Sequence, residues 1–193
     1  MSGDGSVGAV ILAAGASRRH GSPKQLVVVD GRTMLEHAII VALAADLAPV
    51  VAVVPVWLSR PASLASKDLR WVRNPFPERG MSLSLRLGVK ALDDRVGAAL
   101  ILLGDQPRIK LATLEAILAA RGDRPLVATE ANDVLAPPVL VERSHFNLVE
   151  TLSGDAGLRA LLRSTPELVR TVRVTAHPPD MDTPEDLARI LGP

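Results

Sequence analysis

The chain has 193 residues, of which 48% are hydrophobic and 22% charged, so it can bury one substantial core and fits a single domain over residues 1–193. The absence of cysteine excludes disulfides, thiolate catalysis and cysteine-ligated zinc. A net charge of +1, with two Trp, two Phe and no Tyr, argues against nucleic-acid binding. No apolar run has membrane-spanning length and residues 1–6 lack signal-peptide features, so we expect a cytoplasmic protein with a flexible N-terminus and no membrane partner.

The first predicted strand runs from Val7 to Leu12 and leads into a loop of small and basic residues. Its near-continuous apolar run is typical of a strand buried on both faces of a parallel sheet. In the loop, glycines permit close approach of the backbone, a serine offers a hydroxyl, and basic side chains supply positive charge. These loop residues are Gly15, Ser17, Arg18, Arg19, Gly21 and Lys24. Such a loop after a strand is suited to binding a polyphosphate.

Two better-known phosphate-binding motifs do not fit this loop. A Walker A loop has four residues between its glycines and a Lys directly after the second, but five residues separate Gly15 from Gly21 and Lys24 comes three residues later. The glycines at 3, 5 and 8 match GxGxxG but precede the strand, whereas a dinucleotide fingerprint follows one. The loop is therefore predicted to bind a triphosphate in a different way.

Helical and apolar segments alternate after the loop. A short turn leads to a helix that Thr33 caps, with Glu36 completing a capping box. Strands are predicted over residues 49–56 and 70–74. The proline-rich loop after the second of these strands gathers hydroxyls and free amides at the start of a helix, where Ser82 either caps the helix or lies in its first turn.

The next apolar run, AALILLGDQP, ends in Gly104 and Asp105. An acidic residue at the carboxyl end of a central parallel strand lies where open α/β sheets bind ligands, so Asp105 can face the same crevice as the first loop. One carboxylate there suits magnesium, which completes its octahedron with waters and phosphate oxygens. The structural alternative is that Asp105 is a turn residue or a helix cap.

The last part of the chain continues the alternation. We predict a helix at 111–120, a strand–turn–strand at 125–142, a helix at 146–152, a helix with Asp155 as N-cap, a strand at 167–174 and a final helix capped by Thr183. Asp180 and Asp182 precede that last cap and point the same way if the segment is extended. The whole pattern predicts an α/β fold.

The segment Leu12–Lys24, LAAGASRRHGSPK, is similar to the signature LAAGxSxRxGxxK of the MobA-like nucleotidyltransferases. Members of this family transfer a nucleoside monophosphate from a nucleoside triphosphate and release pyrophosphate. The resemblance implies a three-layer Rossmann-like, mostly parallel sheet with helices on both faces and a small antiparallel excursion. It also implies that main-chain amides from Ala14 to Ser17 hold the triphosphate and that Arg19 and Lys24 neutralise it.

Two further segments extend the resemblance. Residues 74–85 match NPxWxxGMSxSL of the molybdenum cofactor cytidylyltransferase branch, which contacts base and ribose, although Pro77 replaces the aromatic residue. Residues 154–159 match GDxGxR, where Arg159 could reach an anionic acceptor. The nucleotide-binding residues implied by the resemblance are Leu12, Ala13, Ala14, Gly15, Ser17, Arg19, Lys24, Asn74, Gly80, Ser82, Ser84 and Gly104.

The family's GDxP and DxDTPEDL segments imply two magnesium ligands, Asp105 and Asp182, with Asp182 preferred to Asp180. The implied catalytic residues are Arg19, Lys24 and Asp105. Relatives that use guanine tend to have Gly where this chain has Ala14, so the resemblance implies a CTP:molybdopterin cytidylyltransferase, with a molybdenum hydroxylase as a transient partner. Two alternatives stay open: another nucleotidyltransferase of this fold, using GTP or acting on a sugar or polyol phosphate, and a non-catalytic nucleotide-binding protein.

Overall fold

A computed structural model describes residues 5–15, 23–154 and 157–177. The strands in these ranges are β1 (Ser6–Leu12), β2 (Val28–Val29), β3 (Arg32–Thr33), β4 (Val50–Pro55), β5 (Leu69–Asn74), β6 (Val96–Leu103), β7 (Leu126–Ala131), β8 (Val134–Glu142) and β9 (Val169–Arg173). The α-helices are α1 (Met34–Ala44), α2 (Met81–Lys90), α3 (Leu111–Ala119), α4 (Phe146–Glu150) and α5 (Leu158–Ser164). None of the described helices is long and apolar enough to cross a membrane.

The main sheet has the strand order β5-β4-β1-β6-β8-β7-β9. Its first four strands are parallel, and β7 is parallel to β9, whereas β8 runs antiparallel to both β6 and β7. The mostly parallel α/β sheet predicted from the sequence is therefore confirmed. The antiparallel excursion is the hairpin β7–β8, which forms part of the main sheet, and β2 and β3 form a second, separate pair.

Helices cover both faces of the sheet, which gives the three predicted layers. Along β1, side chains alternate between the two hydrophobic clusters, because successive residues of a strand point to opposite faces: Ile11 packs in one cluster and Val10 in the other. The first cluster takes residues from α1 and α3, and the second takes residues from α2, α4 and α5. The members of both clusters are buried, so the core of the protein lies on both faces of the sheet.

One predicted helix start is wrong. Helix α5 begins at Leu158 with Gly157 as its N-cap, so Asp155, which itself lies outside the described residues, is not the N-cap. The preceding segment is committed to a tertiary contact, since the Gly154 carbonyl oxygen accepts a hydrogen bond from the Ser82 backbone N–H at 3.2 Å. The capping pattern of the sequence contained no information about this contact.

Candidate active site

The carboxyl ends of β4, β1 and β6 lie at one edge of the sheet because these neighbouring strands are parallel. The chain moves from β1 to β4 and β5 on one side, and then returns to place β6 on the other side of β1. Such a reversal of strand order opens a crevice outside the carboxyl ends, which is where open α/β sheets bind ligands. The loop after β1 begins at this point.

The segment after β6 packs directly against the start of that loop. The Gly104 backbone N–H donates a hydrogen bond to the Leu12 carbonyl oxygen at 2.9 Å. A Cβ atom on Gly104 would lie 2.7 Å from the Cβ of Ala13, so no larger residue fits there without a shift. Asp105 follows at once and is half-buried. The segment predicted to bind phosphate and the segment predicted to bind metal are therefore neighbours.

The described part of the first loop is held firmly at its base. The Ala13 backbone N–H donates to the Val53 carbonyl oxygen at 2.9 Å, and Ala13 and Ala14 are buried. Gly15 is exposed, with no atom within 4 Å of the position that a Cβ would occupy. Lys24 opens a short 3-10 turn and is only 9% exposed. The predicted ligand-binding residues Ser17 and Arg19 lie outside the described residues.

The second predicted nucleotide segment lies at the carboxyl end of β5 and the start of α2. Asn74 is fully buried and joins the two elements, because its Nδ2 donates to Ser84 Oγ at 2.9 Å and its Oδ1 accepts from the Phe76 N–H at 2.9 Å. Gly80 is the N-cap of α2, with φ of 85°, a left-handed value that favours glycine. No side chain caps this helix, so the structural alternative in which Ser82 and Ser84 serve as caps is wrong.

Ser82, in the same segment, has a buried hydroxyl group that lacks a hydrogen bond to any described residue. It is fully buried, and its hydroxyl has no hydrogen-bond partner within the described ranges. A buried polar group left without a partner costs about 1–3 kcal/mol. Its position in the first turn of α2, beside Gly154, makes it a candidate ligand contact at the same edge of the sheet.

The described residues hold no cluster of three or more potential metal-ligating side chains. Asp105 alone nevertheless fits magnesium, which is usually held by one or two carboxylates together with substrate phosphates. Asp180 and Asp182 lie outside the described residues, as does the cap at Thr183. The assignment of a second metal ligand thus stays a prediction.

The hairpin β7–β8 projects from the edge of the sheet at which β6 ends. Since β8 is antiparallel to β6 and Ile101 pairs with Val139, the start of β8 extends past the carboxyl end of β6. His177 contacts this hairpin: its Nε2 lies 2.8 Å from the Val134 carbonyl oxygen and its Nδ1 lies 3.3 Å from Thr129 Oγ. The described part of the chain therefore ends, at His177, at the same edge of the sheet at which Asp105 follows β6.

Exposed apolar side chains also lie at this edge and were not predicted from the sequence. After β4, a turn closed by the Leu58 N–H and the Pro55 carbonyl oxygen presents Trp57, which is 54% exposed. After β5, Phe76 is 48% exposed, with the Arg79 guanidinium carbon 5.0 Å from its ring centroid. The signal that could have found them is an aromatic residue two positions after the end of a strand. Phe76 is also adjacent to Pro77, where the aromatic residue of the motif is absent.

Comparison with known proteins agrees with this architecture. Residues 9–171 match the model of the MobA-like NTP transferase domain. The chain is 31% identical over 196 residues to nicotine blue oxidoreductase of Paenarthrobacter nicotinovorans, covering 94% of this chain and 95% of that protein. It is 29% identical over 190 residues to purine catabolism protein PucB of Bacillus subtilis (strain 168), covering 92% of each.

Among solved structures, Rv0371c from Mycobacterium tuberculosis H37Rv superimposes with a TM-score of 0.83 at 28% identity, covering 97% of this chain and 98% of that chain. The CMP:2-keto-3-deoxy-manno-octonic acid synthetase structure complexed with CTP has a TM-score of 0.73 at 18% identity, covering 96% and 97%, and supports the fold alone. The family match spans most of the chain, and the site elements described above lie within it. The chain belongs to the MobA-like NTP transferase family.

Proposed function

We propose that this nucleotidyltransferase transfers CMP from CTP to a molybdopterin-type acceptor, with release of pyrophosphate and dependence on magnesium. The observation that carries the proposal is the contact between Gly104 and the base of the first loop, which holds Asp105 beside the expected triphosphate site. The crevice at the reversal of strand order supports the same placement.

In the proposed reaction, an acceptor phosphate oxygen forms a bond to the α-phosphorus of the nucleotide. The bond from that phosphorus to the bridging oxygen of the β-phosphate breaks, and pyrophosphate leaves with the electron pair. No protein nucleophile is needed, and an ionised phosphate acceptor has no proton to lose. The work of the protein is to align the two anionic reactants and to neutralise their charge.

The residues divide this work between the two sides of the crevice. Loop amides, Arg19 and Lys24 would bind the departing pyrophosphate. Because Lys24 is almost completely buried, its charge is weakly screened by salt and would act strongly on a nearby phosphate. Asp105 and Asp182 would hold magnesium, which when bound neutralises phosphate charge and favours in-line displacement. Asp105 would contact the metal from just beyond the end of β6.

The base and ribose would lie over the β5–α2 segment. The buried Ser82 hydroxyl would gain its missing hydrogen bond from the nucleotide, whereas Asn74 shapes the segment through its bonds to Ser84 and Phe76. The preference for cytosine rests on Ala14, whose buried methyl group packs in the same cluster as Leu85 of α2. The exposed Phe76 ring offers an apolar surface near this segment.

The test is pyrophosphate release with magnesium and molybdopterin, comparing CTP, GTP, ATP and UTP. We expect a strong preference for CTP. Release with GTP alone would keep the reaction class but contradict the role of Ala14, and release only with a sugar or polyol phosphate would replace the acceptor. Binding of nucleotides without release from any acceptor would favour the non-catalytic alternative.

A second candidate activity is favoured by one relative, because nicotine blue oxidoreductase is named for oxidation and reduction. An oxidation–reduction reaction would transfer electrons from a donor to an acceptor and release no pyrophosphate. The same preparation should therefore be assayed for oxidation of reduced nicotinamide nucleotides in the presence of an electron-accepting dye. Turnover in that assay, with silence in the pyrophosphate assay, would replace the proposed transfer.

A further inference from the structure

A cavity of about 620 Å³ lies between α2 and α4, away from the candidate active site. One of its lining residues, Arg143, donates a hydrogen bond to the carbonyl oxygen of Val96, the first residue of β6. Asp105 follows the other end of that strand, which spans about 23 Å for its eight residues. The end of the cavity at Arg143 is therefore remote from the crevice at the carboxyl edge, and none of the residues that line the cavity is assigned to the proposed transfer reaction.

The cavity combines an apolar lining with charged side chains. Its apolar part is formed by Val89 and Leu92 from the α2 side and by Phe146 and Val149 from α4. Small-molecule sites typically have this size range and an apolar lining, with a few polar groups that orient the ligand. The lining can thus bury the hydrophobic body of a small molecule.

Two of the lining charges are already committed to the protein. The Arg143 guanidinium pairs with the Asp94 carboxylate at 2.7 Å and donates to the Asp93 carbonyl oxygen at 3.0 Å. The central guanidinium carbon of Arg143 also lies 5.7 Å from the centroid of the Phe146 ring. Arg143 and Asp94 carry opposite charges, so together they add no net charge to the cavity.

The other lining charges are available to a ligand. The Arg86 guanidinium makes one hydrogen bond, from Nη1 to the Leu152 carbonyl oxygen at 2.6 Å, which leaves its other N–H groups unused within the described ranges. Lys90 is exposed and has no ion pair with any described residue, and the same holds for Glu150. Two cations against one carboxylate leave a net positive charge beside the apolar lining.

We propose that this cavity binds a small amphipathic anion, with its apolar body against Val89 and Phe146 and its acidic group at Arg86 and Lys90. The chemical class is a carboxylate, sulfonate or phosphate ester carried on an aromatic or aliphatic body. Arg86 is suited to this role because a guanidinium presents several donors in a planar fork that matches such groups.

The experiment is a fluorescence titration of the full chain with two matched probes. Anilinonaphthalenesulfonate carries an anionic group, and N-phenylnaphthylamine has the same rings without it. Lys90→Glu reverses the charge at an exposed position on the cavity wall, and Val89→Trp fills the apolar part. Lys67→Glu is the control, because Lys67 is exposed, lies outside the cavity and has no ion pair in the described part of the chain. Circular dichroism checks that each variant is folded.

We expect saturable one-to-one binding of the sulfonate probe and weaker binding of the neutral probe. Lys90→Glu should weaken sulfonate binding at least about fivefold, as expected when a nearby charge changes from attractive to repulsive, and should leave the neutral probe unaffected. Val89→Trp should weaken both probes, and Lys67→Glu neither. Absence of saturable binding, or binding that neither cavity variant changes, would overturn the proposed site. Equal affinity for the two probes would overturn the anionic class of ligand.

Discussion

Helices α1 and α2 both pack on the main sheet, but their first turns are built differently. In α1, Thr33 Oγ accepts from the Glu36 N–H at 3.2 Å, while a Glu36 carboxylate oxygen accepts from the Thr33 N–H at 2.8 Å. In α2, Gly80 occupies the cap with no side-chain hydrogen bond, and the Ser82 hydroxyl is buried without a partner among the described residues. Polar groups that hydrogen-bond to each other in the first turn stabilise the helix. A buried polar group that lacks a partner can instead hydrogen-bond to a ligand.

The largest effect is expected for Asp105, which lies at the same edge of the sheet as the start of α2. Asp105→Asn should lower the rate of pyrophosphate release by about a hundredfold or more, because it removes the charge that would hold magnesium beside the phosphates. The melting temperature should change little, since Asp105 is only half-buried. Steady-state kinetics and thermal melts measure both quantities. Asp123→Asn, at a surface ion pair with Arg170, is the matched control, and wild-type rates in Asp105→Asn would exclude the metal role.

The next prediction tests whether Ser82, in the first turn of α2, contacts the nucleotide. Ser82→Ala should raise the Kd for the nucleotide about tenfold, the size expected for loss of one well-made hydrogen bond. The free protein should be as stable as wild type or more so, because the buried hydroxyl has no partner among the described residues. Isothermal titration and urea unfolding give the two values. A loss of stability with unchanged nucleotide affinity would assign Ser82 to the fold instead.

At the capping box of α1, we expect the opposite result: a loss of stability with no change in nucleotide affinity. Thr33→Ala should lower the free energy of unfolding by about 1 kcal/mol, the usual cost of losing an N-cap side chain. Nucleotide affinity should be unchanged, since the capping box is satisfied within the protein. Urea unfolding of Thr33→Ala beside Thr33→Ser, which keeps the hydroxyl, isolates the cap. An equal loss in both variants would show that the methyl group, and not the capping oxygen, stabilises the helix.

The smallest effect is the pH dependence of the same cap. The pKa of Glu36 is lowered, first by the hydrogen bond from the Thr33 backbone N–H and then by that from the Ser63 hydroxyl. A carboxyl group with a lowered pKa in the folded state stabilises the protein above its unfolded pKa, and this contribution is lost as the pH falls through the folded value. The stability difference between wild type and Glu36→Gln should therefore be present at neutral pH and shrink below about pH 4. A difference that stays constant over this range would show that ionisation of Glu36 does not matter.

Local patterns predicted several elements correctly because their causes lie within a few residues. The capping box of α1 depends on two residues three positions apart, and the strands β1, β4 and β6 depend on continuous apolar runs. The position of Asp105 after the end of a buried strand was also predicted from the local sequence. These features need no knowledge of distant parts of the chain.

The sequence by itself determined the α/β class, the order of the buried strands along the chain, and the family through the loop motif from Leu12 to Lys24. Only the tertiary structure decided the insertion of β8 between β6 and β7, the contact of Ser82 with Gly154, and the cavity between α2 and α4. The physical reason is that propensity and periodicity act over a few residues. Contacts between segments far apart in the chain depend on how whole faces pack, and their polar groups find partners only after that packing is complete.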